Sequence, residues 1–222
     1  MNKLSRLSAA LVLLILLCSQ SSARTPDENL SNPYYQAKHS IYQSMPRDEG
    51  GIVFLGDSLT DYVQFHELLP GFRTKNRGIA GDSTVTILHR LDEVLSLKPS
   101  KLFLLAGTND IVFGMSADET LGNIKTIIER FRAESPATRI YVEKIFPVNH
   151  KFEKRRPAEA INAINDGLSK LIPELGCELL DTYSLFAEDG ELPERYTVDG
   201  LHLNGAGIIR WVEFLTQYVK ED

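Results

Sequence analysis

The chain is poor in cysteine, in excess positive charge and in long apolar runs, and each shortage excludes something. Its 222 residues hold two cysteines, Cys18 and Cys177, and no Cys or His cluster has metal-ligand spacing, so neither a disulfide framework nor a metal centre is expected. Lys and Arg number 24 against 30 Asp and Glu, a formal charge of −6. An acidic surface disfavours nucleic acid and anionic membranes, both of which reward a basic patch. The longest apolar stretch, Leu7 to Leu17, is short of the ~20 residues that a membrane-spanning helix needs. Internal repeats and low-complexity tracts are lacking too.

That stretch is preceded by Lys3 and Arg6 and followed by Cys18-Ser19-Gln20-Ser21-Ser22-Ala23. The order of basic, apolar and small polar residues is that of a secretory signal peptide over residues 1–23, with a mature chain starting near Arg24. Cys18 admits lipid attachment, which is disfavoured because Leu17 stands where such signals carry a small residue. Cleavage removes two positive charges, taking −6 to −8, and leaves Cys177 as the single cysteine, so no internal disulfide is possible. The expectation is an exported protein, periplasmic or secreted, with no stable membrane insertion once the leader is cut.

Residues 24–50 read as an N-terminal segment, loose from Arg24 to Asn32, with a helix over Tyr34 to Met45 stopped by Pro46 and Gly50-Gly51; catalytic machinery is not expected there. From residue 51 to 222 the chain reads as one domain. Short apolar runs at 52–55, 73–78, 102–105, 140–146 and 178–181 alternate with segments of helical period, the signature of a parallel sheet built from βαβ units. Ser116-Ala117-Asp118-Glu119 is a capping box ahead of Leu121, Ile124, Ile128 and Phe131. Ala158, Ile161, Ile164, Leu168 and Leu171 mark a second stripe, opened by Pro157. Ile208, Trp211, Leu215 and Val219 mark the last, capped by Asn204. A further helix carries Val85, Leu88, Leu91 and Leu95.

Three polar words close strands or open helices. Gly56-Asp57-Ser58-Leu59 puts a hydroxyl at the end of the first strand, Gly107-Thr108-Asn109-Asp110 follows the third, and Asp199-Gly200-Leu201-His202 precedes the last helix. A serine hydroxyl needs a base within reach. His202 is the best of five histidines, because His66 and His89 fall inside predicted helices and His39 in the N-terminal segment. Asp-Gly alone is a favoured turn, yet Asp and His three apart can meet side chain to side chain. Asp199 would then hold the imidazole while Ser58 loses its proton. An oxyanion would find donors in the backbone N–H groups of Ser58 and Gly81 and in the Asn109 amide. Gly78 and Gly81 can equally shape a turn, and their spacing matches no common phosphate loop. Asp57, Asp82 and Asp110 read as helix caps. Lys151 to Arg156 reads as a solvated loop, with gripping of an anionic substrate as the lesser alternative. His150, in a loop over the same rim, and Tyr62 are candidate substrate contacts.

The four words Gly56-Asp57-Ser58-Leu59, Asn76 to Asp82, Gly107 to Asp110 and Asp199 to Asn204 resemble, in order, the four blocks of the SGNH hydrolases, also called GDSL esterases and lipases. The likeness covers about Gly51 to Trp211. It implies an α/β fold, a flavodoxin-like three-layer αβα sandwich with a five-stranded parallel sheet. It also implies a Ser58, His202 and Asp199 triad, an oxyanion hole from Ser58, Gly81 and Asn109, and no metal or cofactor. Around Gly78 and from Tyr196 to Asn204 the chain is most similar to platelet-activating-factor acetylhydrolase subunits and carbohydrate O-acetylesterases. The expected partner is a small-molecule or glycan ester. Two alternatives stand beside this: a lysophospholipase or thioesterase with an apolar groove walled by Tyr62, Val63, Phe113 or Phe146, and a binding module that has lost the reaction.

Overall fold

The computed structural model describes residues 25–221, and the leader assigned to residues 1–23, with Cys18, lies outside them. The described residues open with two helices, α1 (Pro26–Leu30) and α2 (Pro33–Ser44), and then enter β1 (Ile52–Gly56), α3 (Ser58–Asp61), α4 (Phe65–Leu68) and β2 (Thr74–Gly78). Next come α5 (Thr84–His89), α6 (Leu91–Leu95), β3 (Lys101–Leu105), α7 (Thr108–Val112) and α8 (Ala117–Glu134). The last part is β4 (Arg139–Glu143), α9 (Ala158–Glu174), β5 (Glu178–Leu180), α10 (Thr182–Phe186) and α11 (Gly205–Lys220). The strands form one sheet in the order β2-β1-β3-β4-β5, and every neighbouring pair is parallel. That order is the flavodoxin-like one, with helices on both faces.

Alternation along the strands sorts residues between two cores. Val53, Leu55, Leu102, Leu104, Ile140 and Val142 face α5, α6, α8 and α9, meeting Ile87, Leu91, Ile128, Phe131, Ile164 and Leu168. Phe54, Phe103 and Tyr141 face the other way, toward Phe65, Trp211 and Leu215. The register Phe54↔Phe103↔Tyr141 stacks these rings 5.0 and 4.7 Å apart, and Phe65 lies 3.7 Å over Phe54. A strand with apolar residues on both faces has to be central, which is why these runs do not alternate with polar residues.

Three departures from expectation have local causes. The helix after β2 is two helices, broken at Arg90, and it buries Ile87, Leu91, Val94 and Leu95 while Val85 and Leu88 are only partly covered. The break serves the Arg90 guanidinium, which is buried and donates to Asp82 Oδ2 and to the carbonyls of Gly56 and Arg77. Strand β4 stops at Glu143 rather than 146, because the buried Asn165 carboxamide takes over as partner of Ile145, accepting its N–H at 2.8 Å and donating to its carbonyl at 2.9 Å. Residues 26–30 form a helix where a loose segment was expected.

The ends of β1 and β2 lie level, Gly56 opposite Gly78, with α3 crossing close above. A Cβ on Gly78 would stand 2.3 Å from the Asp61 backbone nitrogen, and a backbone atom cannot swing aside. Gly78→Ala is expected to destabilise the fold by about 2 to 3 kcal/mol, lowering Tm by roughly 5 to 10 °C; a melting curve that superimposes on the parent's would contradict this packing.

Candidate active site

Parallel strands in register deliver their following turns to one rim. Ser58 is the first residue of α3, entered through Asp57, whose side chain accepts the Leu59 N–H at 2.9 Å. Asn109 lies in α7, directly after β3. Asp199 and His202 sit in a tight turn before α11. In that turn the Thr197 hydroxyl donates to the His202 carbonyl at 2.8 Å and accepts the Gly200 N–H at 2.9 Å. Gly200 has φ +90°, a left-handed conformation that favours glycine.

The turn aims His202 across the rim. Ser58 Oγ is 2.9 Å from His202 Nε2, and His202 Nδ1 is 2.7 Å from Asp199 Oδ2. Asp199 Oδ1 accepts the N–H groups of Leu201 and His202 at 3.0 and 2.8 Å. Burial raises the Asp199 carboxyl, but the hydrogen bonds from the His202 ring and the two backbone N–H groups outweigh it and hold the group below its ordinary value. An ionised carboxylate only accepts, so Nδ1 carries the ring proton and Nε2 turns its lone pair to Ser58.

Ser58, His202, Gly81, Asn109 and Tyr62 line one cavity of about 510 Å³. The Asn109 amide donates one of its two N–H bonds to the Asp82 carbonyl at 2.8 Å. The Tyr62 ring is half-exposed and tilted against His202, centroids 5.3 Å apart. His150 is placed elsewhere. Its Nδ1 is 2.7 Å from Glu191 and its Nε2 is 3.0 Å from the Arg156 carbonyl, which ties it into the loop and leaves neither ring nitrogen turned to the cavity.

Two segments take part that the sequence reading set aside. Glu28, Asn29, Ser31, Asn32 and Pro33 form one wall of the cavity, although the N-terminal segment was not expected near the chemistry. Asp61 holds that segment down, accepting from the Tyr34 hydroxyl at 2.7 Å and pairing with Lys38 at 2.7 Å, while it also takes the Ala80 N–H. Arg156, expected in a solvated loop, is only 2 % exposed and donates to Asn109 and Thr108. Of the three turn aspartates read as caps, only Asp57 caps its helix, because α5 is capped by Ser83 and α7 starts at Gly107 without a side-chain cap; the other two hold elements together instead. Asp110 accepts the Thr84 N–H and its hydroxyl across two elements, and Asp82 pairs with Arg90 at 2.7 Å.

The model of the GDSL-like lipase/acylhydrolase family matches residues 54–208. The chain is 32% identical over 182 residues, 78% of its length, to the human platelet-activating factor acetylhydrolase IB subunit alpha2, of which 77% is covered. Among solved structures it is similar to a Streptococcus pneumonia protein provisionally assigned as a platelet activating factor, with TM-score 0.79 and 29% identity over 95% of this chain and 99% of that one. It also shares the fold of the acetylxylan esterase Axe2 of Geobacillus stearothermophilus, with TM-score 0.64 and 16% identity over 80% of this chain and 98% of the other.

Behind Ser58 the Asp57 carboxyl is fully buried, and burial pushes it up to about 7 against the pull of the Leu59 N–H and the Arg156 charge. A carboxyl raised in the folded state favours folding below its unfolded value near 4, and that contribution is lost as pH rises through about 7. Asp57→Asn keeps a capping oxygen and removes the titration, so its Tm should fall less than the parent's between pH 5 and 8. Parallel Tm-versus-pH curves for the two proteins would contradict this.

Proposed function

The chain belongs to the GDSL-like lipase/acylhydrolase family, and from that premise we propose that it is an exported serine esterase removing acetyl and similarly short acyl groups from a carbohydrate or comparably polar acceptor. The observation that carries the reading is the unbroken line from Ser58 Oγ through the His202 ring to Asp199, at 2.9 and 2.7 Å, on the wall of an open cavity. A binding module has no use for that alignment. The basic, apolar and small polar order of residues 1–23 supports export.

In this reading His202 Nε2 takes the proton of Ser58 as Oγ bonds to the ester carbonyl carbon, and Asp199 stabilises the imidazolium that results. Charge accumulates on the carbonyl oxygen. It is met by the Ser58 N–H, an orphan donor in the first turn of α3, by the Gly81 N–H and by the second N–H of Asn109, each such donor contributing ~3 to 4 kcal/mol in the transition state. Collapse breaks the bond to the alcohol oxygen, which leaves with the proton from Nε2. Water then gives its proton to the same nitrogen, attacks the acyl-serine and restores Ser58 as the acid departs.

The walls favour a short acyl group and a polar acceptor. Of the four residues named for a long apolar groove, Tyr62 and Phe113 line the cavity but Val63 and Phe146 are buried in the core, and Glu28, Asn29, Ser31 and Asn32 add polar groups to the wall. Two names among the similar proteins, an acetylhydrolase and an acetylxylan esterase, point to the same acyl group.

Initial rates with p-nitrophenyl acetate and octanoate test the reading. The protein starting at Arg24 should favour acetate in kcat/KM by at least about tenfold. Ser58→Ala should abolish turnover while the melting curve is kept. Asp199→Asn should lower kcat by roughly 10³- to 10⁴-fold, since the imidazole loses its enforced tautomer. Octanoate preferred over acetate, or turnover surviving in Ser58→Ala, would overturn the proposal.

A further inference from the structure

A carboxamide has two faces of opposite sense, and an oxyanion tolerates only the N–H side. Asn109 therefore needs something that forbids its flipped orientation, in which Oδ1 would meet the developing negative charge. The Asp82 carbonyl opposes the flip from one side, because it can only accept, and it takes an Asn109 N–H at 2.8 Å. On the other side stands the Arg156 guanidinium, whose Nη2 donates to Asn109 Oδ1 at 2.8 Å. A guanidinium only donates and does not lose its proton in proteins. With an obligate acceptor on Nδ2 and an obligate donor on Oδ1, the amide has one orientation, and its remaining N–H is left for the cavity that Asn109 and Arg156 both line.

Arg156 is itself immobilised. Its Nε donates to the Thr108 carbonyl at 3.0 Å and hydroxyl at 2.9 Å, and its Nη1 pairs with Glu153 at 2.9 Å. The side chain is 3 % exposed and its carboxylate partner 7 %. The loop that carries it also braces the other half of the site. The Asn149 N–H donates to the Gly200 carbonyl at 2.8 Å, and a Cβ on Gly200 would lie 2.8 Å from the Asn149 carbonyl oxygen and 2.9 Å from Phe152 Cβ. One loop thus touches the turn that presents Asp199 and His202 and the amide that faces the oxyanion.

We propose that Arg156 is a positioning residue that locks the Asn109 carboxamide with its N–H toward the oxyanion. This rests on the reading of Asn109 as an oxyanion donor. Because the effect is confined to the transition state, loss of Arg156 lowers kcat and leaves KM in place. It distinguishes Arg156 from Lys as well, since one ammonium cannot serve Asn109, Thr108 and Glu153 from three separate nitrogens.

The test is a double-mutant cycle read in kcat and KM on p-nitrophenyl acetate, with melting curves for each protein. Asn109→Ala should cost about 10²- to 10³-fold in kcat. Arg156→Met should cost about 10- to 100-fold with KM within threefold, and in the Asn109→Ala background the same change should cost less than about threefold, because the amide it orients is gone. Arg156→Lys, which keeps the buried charge and hence the fold, should lie between parent and Arg156→Met, about tenfold down in kcat. Parent-like kcat in Arg156→Lys, or an Arg156→Met penalty that persists in full without Asn109, would overturn the proposal. Parent-like kcat in Asn109→Ala would instead remove the oxyanion reading beneath it. Should Arg156→Met not fold, the decision passes to Arg156→Lys and its cycle with Asn109→Ala, which carry the same two overturning outcomes.

Discussion

Parallel register at the centre of the sheet is the constraint from which the site follows. Gly56 is paired with Gly78 on one side and with Leu105 on the other, so the turns after β1, β2 and β3 leave the sheet level and adjacent. A one-residue slip in either pairing would turn every strand side chain to the opposite core. The Phe54, Phe103 and Tyr141 ladder on one face and the Val53, Leu102 and Ile140 row on the other penalise that slip from both sides. The cores therefore fix where Ser58, Gly81 and Asn109 lie relative to one another, long before any substrate is bound.

Closing the rim brings carboxylates into dry surroundings, and the fold handles each one differently. Asp82 is given a buried guanidinium, Asp110 the N–H and hydroxyl of Thr84, and Asp61 an amine, a phenol and a backbone N–H. Asp57 and Glu143 receive much less. Burial pushes Glu143 up to about 8 although the Trp211 indole donates to it at 2.6 Å. Where burial outweighs such partners a carboxyl is cheapest when protonated, so these two groups favour the fold at acidic pH, while Asp199, held low by its hydrogen bonds, favours it above the ordinary carboxylate range.

The strands, the long helices and the three polar words were legible because their signals are local. A run of apolar residues, a capping box at Ser116 and Glu119 or an Asp and His three apart needs no knowledge of distant chain. Arg156 was not legible. It meets Asn109 across 47 residues, and in sequence it is one more charge beside Lys151, Lys154 and Arg155. Asn165 likewise looks like an ordinary polar position on a helix until Ile145 is brought beneath it. The N-terminal wall escaped for a related reason, since Tyr34 meets Asp61 across 27 residues and Lys38 joins the same carboxylate. Long-range polar contacts set burial, and burial decides whether a charge is solvated or structural.

The central claim is that Ser58 becomes covalently acylated, and a fluorophosphonate reports on it directly because it phosphonylates only a serine activated in this way. Intact-mass and peptide mass spectrometry of the treated protein should show one adduct per chain, on the peptide carrying Ser58, with none in His202→Ala. No adduct on folded protein, or an adduct on another serine with Ser58 unmodified, would contradict the account.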